Sequence, residues 1–267
     1  MPLDRSGHPP FEGDHRPPSP SPAGVETTQH RPSRLDAVFW DMDGTLVDTE
    51  PLWNASHRRM LEDQGGTWTE GLAQSLTGQS LDHGARLLQQ AGLDLDVETI
   101  VDTALREVMA GVQENLPWRP GARELLAALH QAGVPCALVT MSHTPLAQVI
   151  LDRAPDGSFE FMVTGDQVTR GKPHPEPYLT ALSRMQDRHP GVDRSRCLVI
   201  EDSLPGVTSA TAAGLPTVAV PLVTELPEDP RRRQWDTLAG RSVGDLAEVV
   251  GAIGQLAAAG APPQGLG

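Results

Sequence analysis

The sequence predicts an α/β fold, in which a doubly wound, Rossmann-like sheet of five parallel strands carries an inserted α-helical cap domain. Two observations lead to this prediction. Short apolar runs alternate with segments of helical periodicity along most of the chain, which is typical of a parallel sheet covered by helices. One long interval breaks the alternation, because it has helical spacing without any strand-like run.

Five apolar runs are the strand candidates, and segments with the apolar spacing of helices lie between them. The strand candidates are residues 35–40, 134–140, 159–163, 197–200 and 217–220. The helix candidates are residues 120–131, 145–153, 175–186, 205–213 and 242–256. Gly133 and Gly214 stand where two of these helices would end, because glycine readily adopts the left-handed conformation that follows a helix.

The interval 51–118 is predicted to be the cap, inserted directly after the first strand. Residues 35–50 and 119–256 would then form the Rossmann-like core. The alternative is a single domain in which these helices pack into the main core. Residues 1–34 hold eight prolines and are predicted to be a disordered tail, and residues 257–267 are predicted to be a flexible one.

The charge and composition of the chain exclude several classes of partner. The formal net charge is −14 without a dense basic stripe, so neither nucleic acid nor an anionic membrane is expected to bind. No apolar run approaches the roughly 18 residues that a membrane span needs. The one basic run, residues 231–233, is interpreted as a solvated loop. Cys136 and Cys197 lie in apolar runs, which favours free thiols and a cytoplasmic protein. We expect a monomer that binds a small molecule.

The first and fourth strand candidates both end in acidic residues. Asp41 and Asp43 follow the first strand, and Glu201 and Asp202 follow the fourth. If the two strands are neighbours, these carboxylates meet at the carboxyl edge of the sheet, where open parallel sheets bind ligands. So many negative charges in one cleft favour a hard cation, and ligation by oxygen atoms favours Mg²⁺. Two unrelated acidic turns in solvent are the alternative for either pair alone.

Two further segments carry groups that suit a phosphate. Thr140 and Met141 lie at the end of the second strand, where a hydroxyl and backbone N–H groups can donate to phosphate oxygens. Lys172, in the segment GKPHP, is the only lysine among 21 basic residues. This count indicates a position that requires a compact ammonium, which can bridge a carboxylate and a phosphate oxygen. A merely solvated lysine is the alternative.

These segments resemble the four ordered motifs of the haloacid dehalogenase-like superfamily. The matching strings are DMDGTLVDTE, VTMS, GKPHPEPY and IEDSLPGVTSATAAG, and the resemblance covers residues 35–250. The insert is similar in position and size to the helical cap of the phosphatase and β-phosphoglucomutase branch. Within that branch, the first motif is similar to bacterial sugar-phosphate and hexitol-phosphate phosphatases. The resemblance implies a five-stranded sheet with adjacent first and fourth strands.

The resemblance also implies a reaction. It is the Mg²⁺-dependent hydrolysis of a small phosphomonoester, a sugar or polyol phosphate, through an aspartyl-phosphate. Asp41 would be the nucleophile, and Asp43 would protonate the leaving group and then activate water. Asp41, Asp202 and the backbone carbonyl of Asp43 would hold the metal, with Glu201 supporting it through water.

Binding roles follow from the same resemblance. The groups that would bind the phosphoryl oxygens are those of Thr140, Met141 and Lys172. Selection of the substrate is assigned to the cap and its surroundings, where the candidate residues are Trp53, Gln79 and His143.

A β-phosphoglucomutase-like mutase is the alternative activity, because it uses the same nucleophile and the same acid and base. Family mutases carry a histidine soon after the first motif, a basic cap residue and a basic residue after the second motif. Trp53, Leu81 and His143 stand at those places here. A receiver-type phospho-switch is disfavoured, because it lacks both a cap and an acid two residues after the phosphorylated aspartate. Dehalogenation is disfavoured because the dehalogenases of this superfamily lack an equivalent of Asp43.

Overall fold

The computed structural model describes residues 34–222 and 225–260 of the 267-residue chain. The predicted N-terminal tail lies outside these residues, apart from Arg34. The last helix continues to Gly260, into the segment 257–267 that the sequence predicts to be flexible, and the remainder of that segment lies outside the described residues.

Four helices follow the first strand and form what we call the helical segment, residues 50–114. They are α1 (Glu50–Asp63), α2 (Glu70–Leu76), α3 (Leu81–Gln90) and α4 (Val97–Glu114). Side chains that precede the helices cap three of them. The Thr69 hydroxyl accepts from Leu72 N at 3.2 Å, the Ser80 hydroxyl from His83 N at 3.4 Å and the Asp96 carboxylate from Thr99 N at 2.8 Å. The buried face of α4 is apolar and consists of Ile100, Val101, Ala104, Leu105, Val108 and Val112.

Two short linkers join the helical segment to the sheet and lie side by side. Asp48 N donates to Pro117 O at 2.8 Å, and Arg119 N donates to Leu46 O at 3.0 Å. The buried apolar side chains of the helical segment belong to the same hydrophobic cluster as one face of the sheet. The division into a cap domain at 51–118 and a core at 35–50 and 119–256 stays a prediction.

The remaining helices alternate with strands, as predicted. They are α5 (Ala122–Gln131), α6 (Thr144–Leu151), α7 (Glu176–Arg188), α8 (Leu204–Ala212) and α9 (Val243–Gly260). Gly133 and Gly214 follow α5 and α8 with φ values of +68° and +69°, which confirms the predicted helix ends. No helix in the described part of the chain is long and apolar enough to cross a membrane.

Six parallel strands form one sheet. They are β1 (Ala37–Trp40), β2 (Cys136–Val139), β3 (Phe161–Val163), β4 (Cys197–Glu201), β5 (Thr217–Ala219) and β6 (Arg232–Gln234). Their order is β3-β2-β1-β4-β5-β6, so the first and fourth strands are neighbours, as expected. Trp40 lies opposite Leu138 on one side and Ile200 on the other. The carboxyl ends of β2, β1 and β4 therefore share one edge.

The predicted number of five strands is wrong, because the basic run 231–233 is not wholly a loop. Arg232 and Arg233 belong to β6, which pairs with β5 at the edge of the sheet. Trp235 N continues this pairing with a hydrogen bond of 2.8 Å to Ala219 O. The edge strand lacks an apolar run because its side chains are exposed or only half-buried, so the periodicity of the sequence does not reveal it.

Successive side chains of each strand point to opposite faces of the sheet. Val38 and Trp40 pack in one cluster together with α5, α6, α9 and the helical segment, whereas Ala37 and Phe39 pack in the other with α7 and α8. Cover on both faces is what a doubly wound parallel sheet requires. Cys136 and Cys197 are buried in this core without a disulfide, as predicted, and burial raises the pKa of each thiol to about 12.

The packing before α5 predicts an unequal effect of two alanine substitutions. Gly121 and Gly133 both have positive φ, +81° and +68°. A Cβ at Gly121 would lie 2.3 Å from the backbone of Leu238 and Ala239, but a Cβ at Gly133 would meet nothing within 4 Å. We expect Gly133→Ala to lower the free energy of unfolding by about 1 kcal/mol and Gly121→Ala by about 3 kcal/mol. Urea denaturation measures both, and equal losses would contradict the close approach of the Leu238 backbone to α5.

Candidate active site

The chain brings its chemically distinctive side chains to the shared edge of the sheet. Asp41 follows β1, Thr140 follows β2 and Asp202 follows β4. Lys172 comes from the loop between β3 and α7. Backbone pairing of β1 with both β2 and β4 places these residues together, although more than 90 positions separate Asp43 from Thr140, whose side chains hydrogen-bond.

The ammonium of Lys172 lies between two carboxylates. Its Nζ is 2.6 Å from Asp41 Oδ1 and 2.6 Å from Glu201 Oε1, and it donates to Val139 O at 2.9 Å. The residue is only 3% exposed. Burial disfavours the charged form, but the carboxylates of Asp41 and Glu201 outweigh it and hold the pKa of Lys172 above its ordinary value. Three acceptors thus match the three donors of an ammonium.

Glu201 has hydrogen-bond partners at both of its carboxylate oxygens. Oε1 accepts from Lys172 and from the hydroxyl of Tyr178, the latter at 2.7 Å. Oε2 accepts from the backbone N–H groups of Asp202 and Ser203 at 3.1 and 3.4 Å. The carboxylate is therefore fixed in one orientation, in which it holds the ammonium beside Asp41.

At two positions, Gly44 and Gly206, the absence of a Cβ atom makes room for an acidic side chain of the site. Gly44 has a φ of +84°, and a Cβ there would lie 2.1 Å from Asp202 Oδ2. A Cβ on Gly206, in α8, would lie 2.0 Å from the carboxylate of Glu201. Any other residue at either position would displace an acidic side chain from the site.

The acidic residues form a group that fits a divalent cation. Oxygen atoms of Asp41, Glu201 and Asp202 lie within 4.8 Å of one another, and all three residues are buried. Burial and the neighbouring Glu201 carboxylate raise the pKa of Asp41 to about 7. Burial and the Asp41 carboxylate raise the pKa of Asp202 well above its ordinary value. One ammonium does not balance this charge, and hard oxygen donors are the ligands that Mg²⁺ prefers.

Asp43 lies in a different environment, among neutral donors. Its Oδ1 accepts from the Thr49 hydroxyl and from Trp53 Nε1, the latter at 3.2 Å. Its Oδ2 accepts from the hydroxyls of Thr140 at 3.2 Å and Ser142 at 2.8 Å. The side chains at the end of β2 and at the start of the helical segment therefore hold this carboxylate jointly.

The helical segment forms the other wall of a pocket above these acids. A Cβ on Gly78 would lie 2.5 Å from Ser203 Oγ, and one on Gly171 would lie 3.4 Å from Ser80 Cβ, so the loop between α2 and α3 touches the site loops. The side chains that the helical segment contributes to the lining include Glu50, Trp53, Asn54, His57, Thr77 and Gln79. Burial lowers the pKa of His57 to about 4, so its ring is neutral at physiological pH.

The structure brings most of the predicted site residues together. Those that line the pocket are Asp41, Asp43, Trp53, Gln79, Thr140, Met141 and Lys172. Glu201 and Asp202 lie beside it, next to Lys172 and Asp41. Met141 also accepts at its sulfur from Lys172 N, at 3.2 Å. His143 is the exception, since it is not among the lining residues and the chain turns into α6 directly after it.

Sequence reasoning missed several residues that the structure places at the site. Thr49 and Ser142 bind Asp43, Tyr178 binds Glu201, and Glu50 lines the pocket. Only Tyr178 carries a signal that could have been noticed, because it is the one tyrosine of the chain and lies six residues after the one lysine. The other three are common polar residues in turns and helix starts.

Comparisons with known proteins agree with this geometry. A family model described as haloacid dehalogenase-like hydrolase matches residues 35–214. A phosphorylated carbohydrates phosphatase of Thermotoga maritima is 35% identical over 184 residues, which cover 68% of this chain and 82% of that protein. An N-acetylmuramic acid 6-phosphate phosphatase of Pseudomonas aeruginosa is 35% identical over 204 residues, 73% of this chain and 86% of that protein. CbbY from Rhodobacter sphaeroides, in a crystal structure with phosphate, superposes with a TM-score of 0.69 at 27% identity and covers 79% of this chain and 99% of its own.

The crowding of acids predicts opposite effects of one substitution on the metal-free and metal-bound protein. Asp202→Asn removes a buried carboxylate. At pH 8 without metal, we therefore expect the free energy of unfolding of this variant to exceed that of the wild type by about 1 to 2 kcal/mol. Addition of MgCl₂ should raise the Tm of the wild type but not of this variant, because binding to the folded state alone stabilises it.

Thermal unfolding with MgCl₂ and with a chelator measures both effects. Asp187→Asn, an exposed acid of α7, is the control and should change neither. Equal stabilisation of the Asp202→Asn variant and the wild type by Mg²⁺ would contradict the metal site.

Proposed function

The chain belongs to the haloacid dehalogenase-like hydrolase family, and we propose that it is a Mg²⁺-dependent phosphatase of small phosphomonoesters, acting through an aspartyl-phosphate. The observation that carries this proposal is the pair of differently held carboxylates in one pocket. Asp41 lies against a buried ammonium, whereas Asp43 lies against neutral donors only two residues away. Family relatives named for phosphorylated carbohydrates and for an amino sugar phosphate support a sugar or polyol phosphate as substrate.

In the first half of the reaction, a carboxylate oxygen of Asp41 attacks phosphorus. A bond forms between this oxygen and phosphorus, the bond between phosphorus and the ester oxygen breaks, and Asp43 gives a proton to the departing alkoxide. Lys172 orients the nucleophile through its hydrogen bond to Oδ1. In the second half, Asp43 takes a proton from water, the water oxygen attacks phosphorus, and the bond to Asp41 breaks to release phosphate.

The phosphoryl group is stabilised by charge and by fixed donors. Lys172 supplies the positive charge of the protein at this position, and Thr140 and Met141 lie beside it at the end of β2. Asp41, Asp202 and the backbone carbonyl of Asp43 would hold Mg²⁺, with Glu201 in support. When bound, Mg²⁺ neutralises the negative charge of the carboxylates and of the transferring phosphoryl oxygens.

A phosphosugar mutase uses the same two aspartates, so the residues around them must separate the activities. Trp53 stands where family mutases carry a histidine, and its indole N–H donates to Asp43 at 3.2 Å. An indole donates only, so it cannot relay a proton between Asp43 and a second substrate hydroxyl. Leu81 lines the pocket where those mutases carry a basic residue. Both observations favour hydrolysis over mutase activity.

The cellular location and the oligomeric state of the enzyme are further parts of the proposal. Two buried free thiols are compatible with a cytoplasmic location. We propose a monomer, which sedimentation or size-exclusion chromatography of the full chain can test.

The division of labour between the two aspartates predicts a dependence on the leaving group. Asp43→Asn should lower kcat/KM for an alkyl phosphate by about 10² to 10⁴-fold, because an alkoxide needs a proton to leave. Nitrophenolate leaves without one, so this variant should release one equivalent of it from p-nitrophenyl phosphate in a fast burst before turnover slows. Asp41→Asn should lose about 10³-fold or more on both esters, without a burst.

Stopped-flow absorbance and a phosphate assay distinguish these variants. If Asp43→Asn lowered kcat/KM equally for the two esters and gave no burst, Asp43 would not be the general acid. Normal turnover of the Asp41→Asn variant would remove the covalent mechanism.

The geometry around Nζ predicts that Lys172→Arg fails despite its unchanged charge. A guanidinium is planar and larger, so it cannot meet three acceptors at 2.6, 2.6 and 2.9 Å in a buried site. We expect kcat/KM to fall by about 10²-fold or more. Arg170→Lys, on the exposed part of the same loop, is the control and should stay within about threefold of the wild type. Wild-type rates for Lys172→Arg would show that the single lysine is incidental.

A further inference from the structure

The two ends of the pocket differ in charge. At the core end lie Lys172 and the acidic group that fits a cation. The wall that the helical segment forms carries an acid, Glu50, together with neutral polar side chains. Of the described residues that line the pocket, Lys172 is the only one with a positive charge at neutral pH, since burial lowers the pKa of His57 to about 4. Positive charge is thus confined to the place where the phosphoryl group binds.

Glu50 is the acidic residue of this wall. It is the first residue of α1, and the hydroxyl of Thr77 donates to its Oε1 at 2.8 Å. Burial raises the pKa of Glu50 against the effect of this hydrogen bond, and the charged groups that act on it are the acids Asp43 and Asp48. The strongest charged neighbours of Glu50 are thus acids, and the ammonium of Lys172 forms its ion pairs with Asp41 and Glu201 instead.

Neutral polar groups of the helical segment line the pocket together with Glu50. Asn54 and His57 follow it at spacings of four and seven residues, which places all three on one face of α1. Gln79 lines the pocket from the loop between α2 and α3. Amide, hydroxyl and neutral imidazole groups both donate and accept hydrogen bonds, so they suit the hydroxyls of a polyol or sugar.

We infer that the pocket selects phosphomonoesters with an uncharged, hydroxylated leaving group, and that Glu50 is the residue that rejects a leaving group carrying a carboxylate or a second phosphate. This inference rests on the proposed phosphatase function and specifies its substrate class. A second anion on the leaving group would lie in the same pocket as the Glu50 side chain, away from Lys172, and the Glu50 carboxylate would repel it. A neutral leaving group avoids this repulsion.

Family membership does not by itself decide the charge of the leaving group. The relative from Pseudomonas aeruginosa is named for the phosphate of an acidic amino sugar, and that from Thermotoga maritima for phosphorylated carbohydrates in general. The distribution of charge in this chain's own pocket is the argument for a neutral leaving group.

Matched pairs of phosphomonoesters test the inference. Glycerol 3-phosphate and 3-phosphoglycerate form one pair, and a hexose 6-phosphate with the aldonate 6-phosphate of the same carbon skeleton forms another. In each pair, one member carries an additional carboxylate at nearly the same size. With the full-length enzyme and Mg²⁺, we expect kcat/KM to favour the neutral member by about tenfold or more.

Substitutions at the wall test the residue assigned. Glu50→Gln keeps the shape and an acceptor for Thr77 but removes the charge, so the preference should fall by about threefold or more. Asn54→Asp adds a second charge on the same face of α1 and should increase the preference. Glu62→Gln, which removes an exposed acid of the same helix that pairs with Arg58, is the control and should leave the preference unchanged. The preference is a ratio of two rates, so a general loss of active enzyme does not alter it.

The outcomes separate this inference from the function on which it rests. If the wild type hydrolyses neutral and carboxylate-bearing esters equally well, the phosphatase function stands and the charge selection is overturned. A preference that stays the same in Glu50→Gln as in Glu62→Gln overturns the role of Glu50. If no ester of either kind is hydrolysed, nor p-nitrophenyl phosphate, the phosphatase function fails and the inference falls with it.

Discussion

The buried ammonium of Lys172 is the interaction on which the site depends. It joins the carboxylate after β1 to the last residue of β4, and its third bond reaches the last carbonyl of β2. Two carboxylates so close and so buried would otherwise repel each other, and the pKa of Asp41 lies at about 7 even with this cation present. Tyr178 and backbone N–H groups hold the far side of Glu201, so the ammonium is fixed by a network and not by a single ion pair.

This network lets two aspartates on one turn behave differently. Asp41 belongs to the charged group around Lys172, whereas Asp43 is held by hydroxyls and an indole N–H. Such a difference in surroundings suits the separate roles of nucleophile and acid that we propose for the two aspartates. Two of the four partners of Asp43 are Thr49, directly before the helical segment, and Trp53, in its first helix. Trp53 therefore lines the pocket and also holds the aspartate that we propose as the acid.

Much of the fold follows from local sequence signals. The alternation of apolar runs and helical spacing identifies β1 to β5 and the helices between them, because buried strands and amphipathic helices have different periods. The sixth strand could not be identified in this way, since Arg232 and Arg233 have no apolar alternation. It forms because β5 offers an unpaired backbone edge, and hydrogen bonds to that edge do not depend on side-chain type.

The amino-acid sequence identifies which chemical groups the protein possesses and at which strand ends they stand, because motif strings and a single lysine are local features of the chain. It led to Asp41, Asp43, Lys172 and Asp202 without any knowledge of distances. The contacts of each group become known only from the folded chain, as for Tyr178 with Glu201, Ser142 with Asp43 and Thr77 with Glu50. The folded chain also leaves His143 out of the pocket lining. Each of these pairs joins residues from different elements, so their contact is set by strand order and helix packing, which have no signature in the neighbouring sequence.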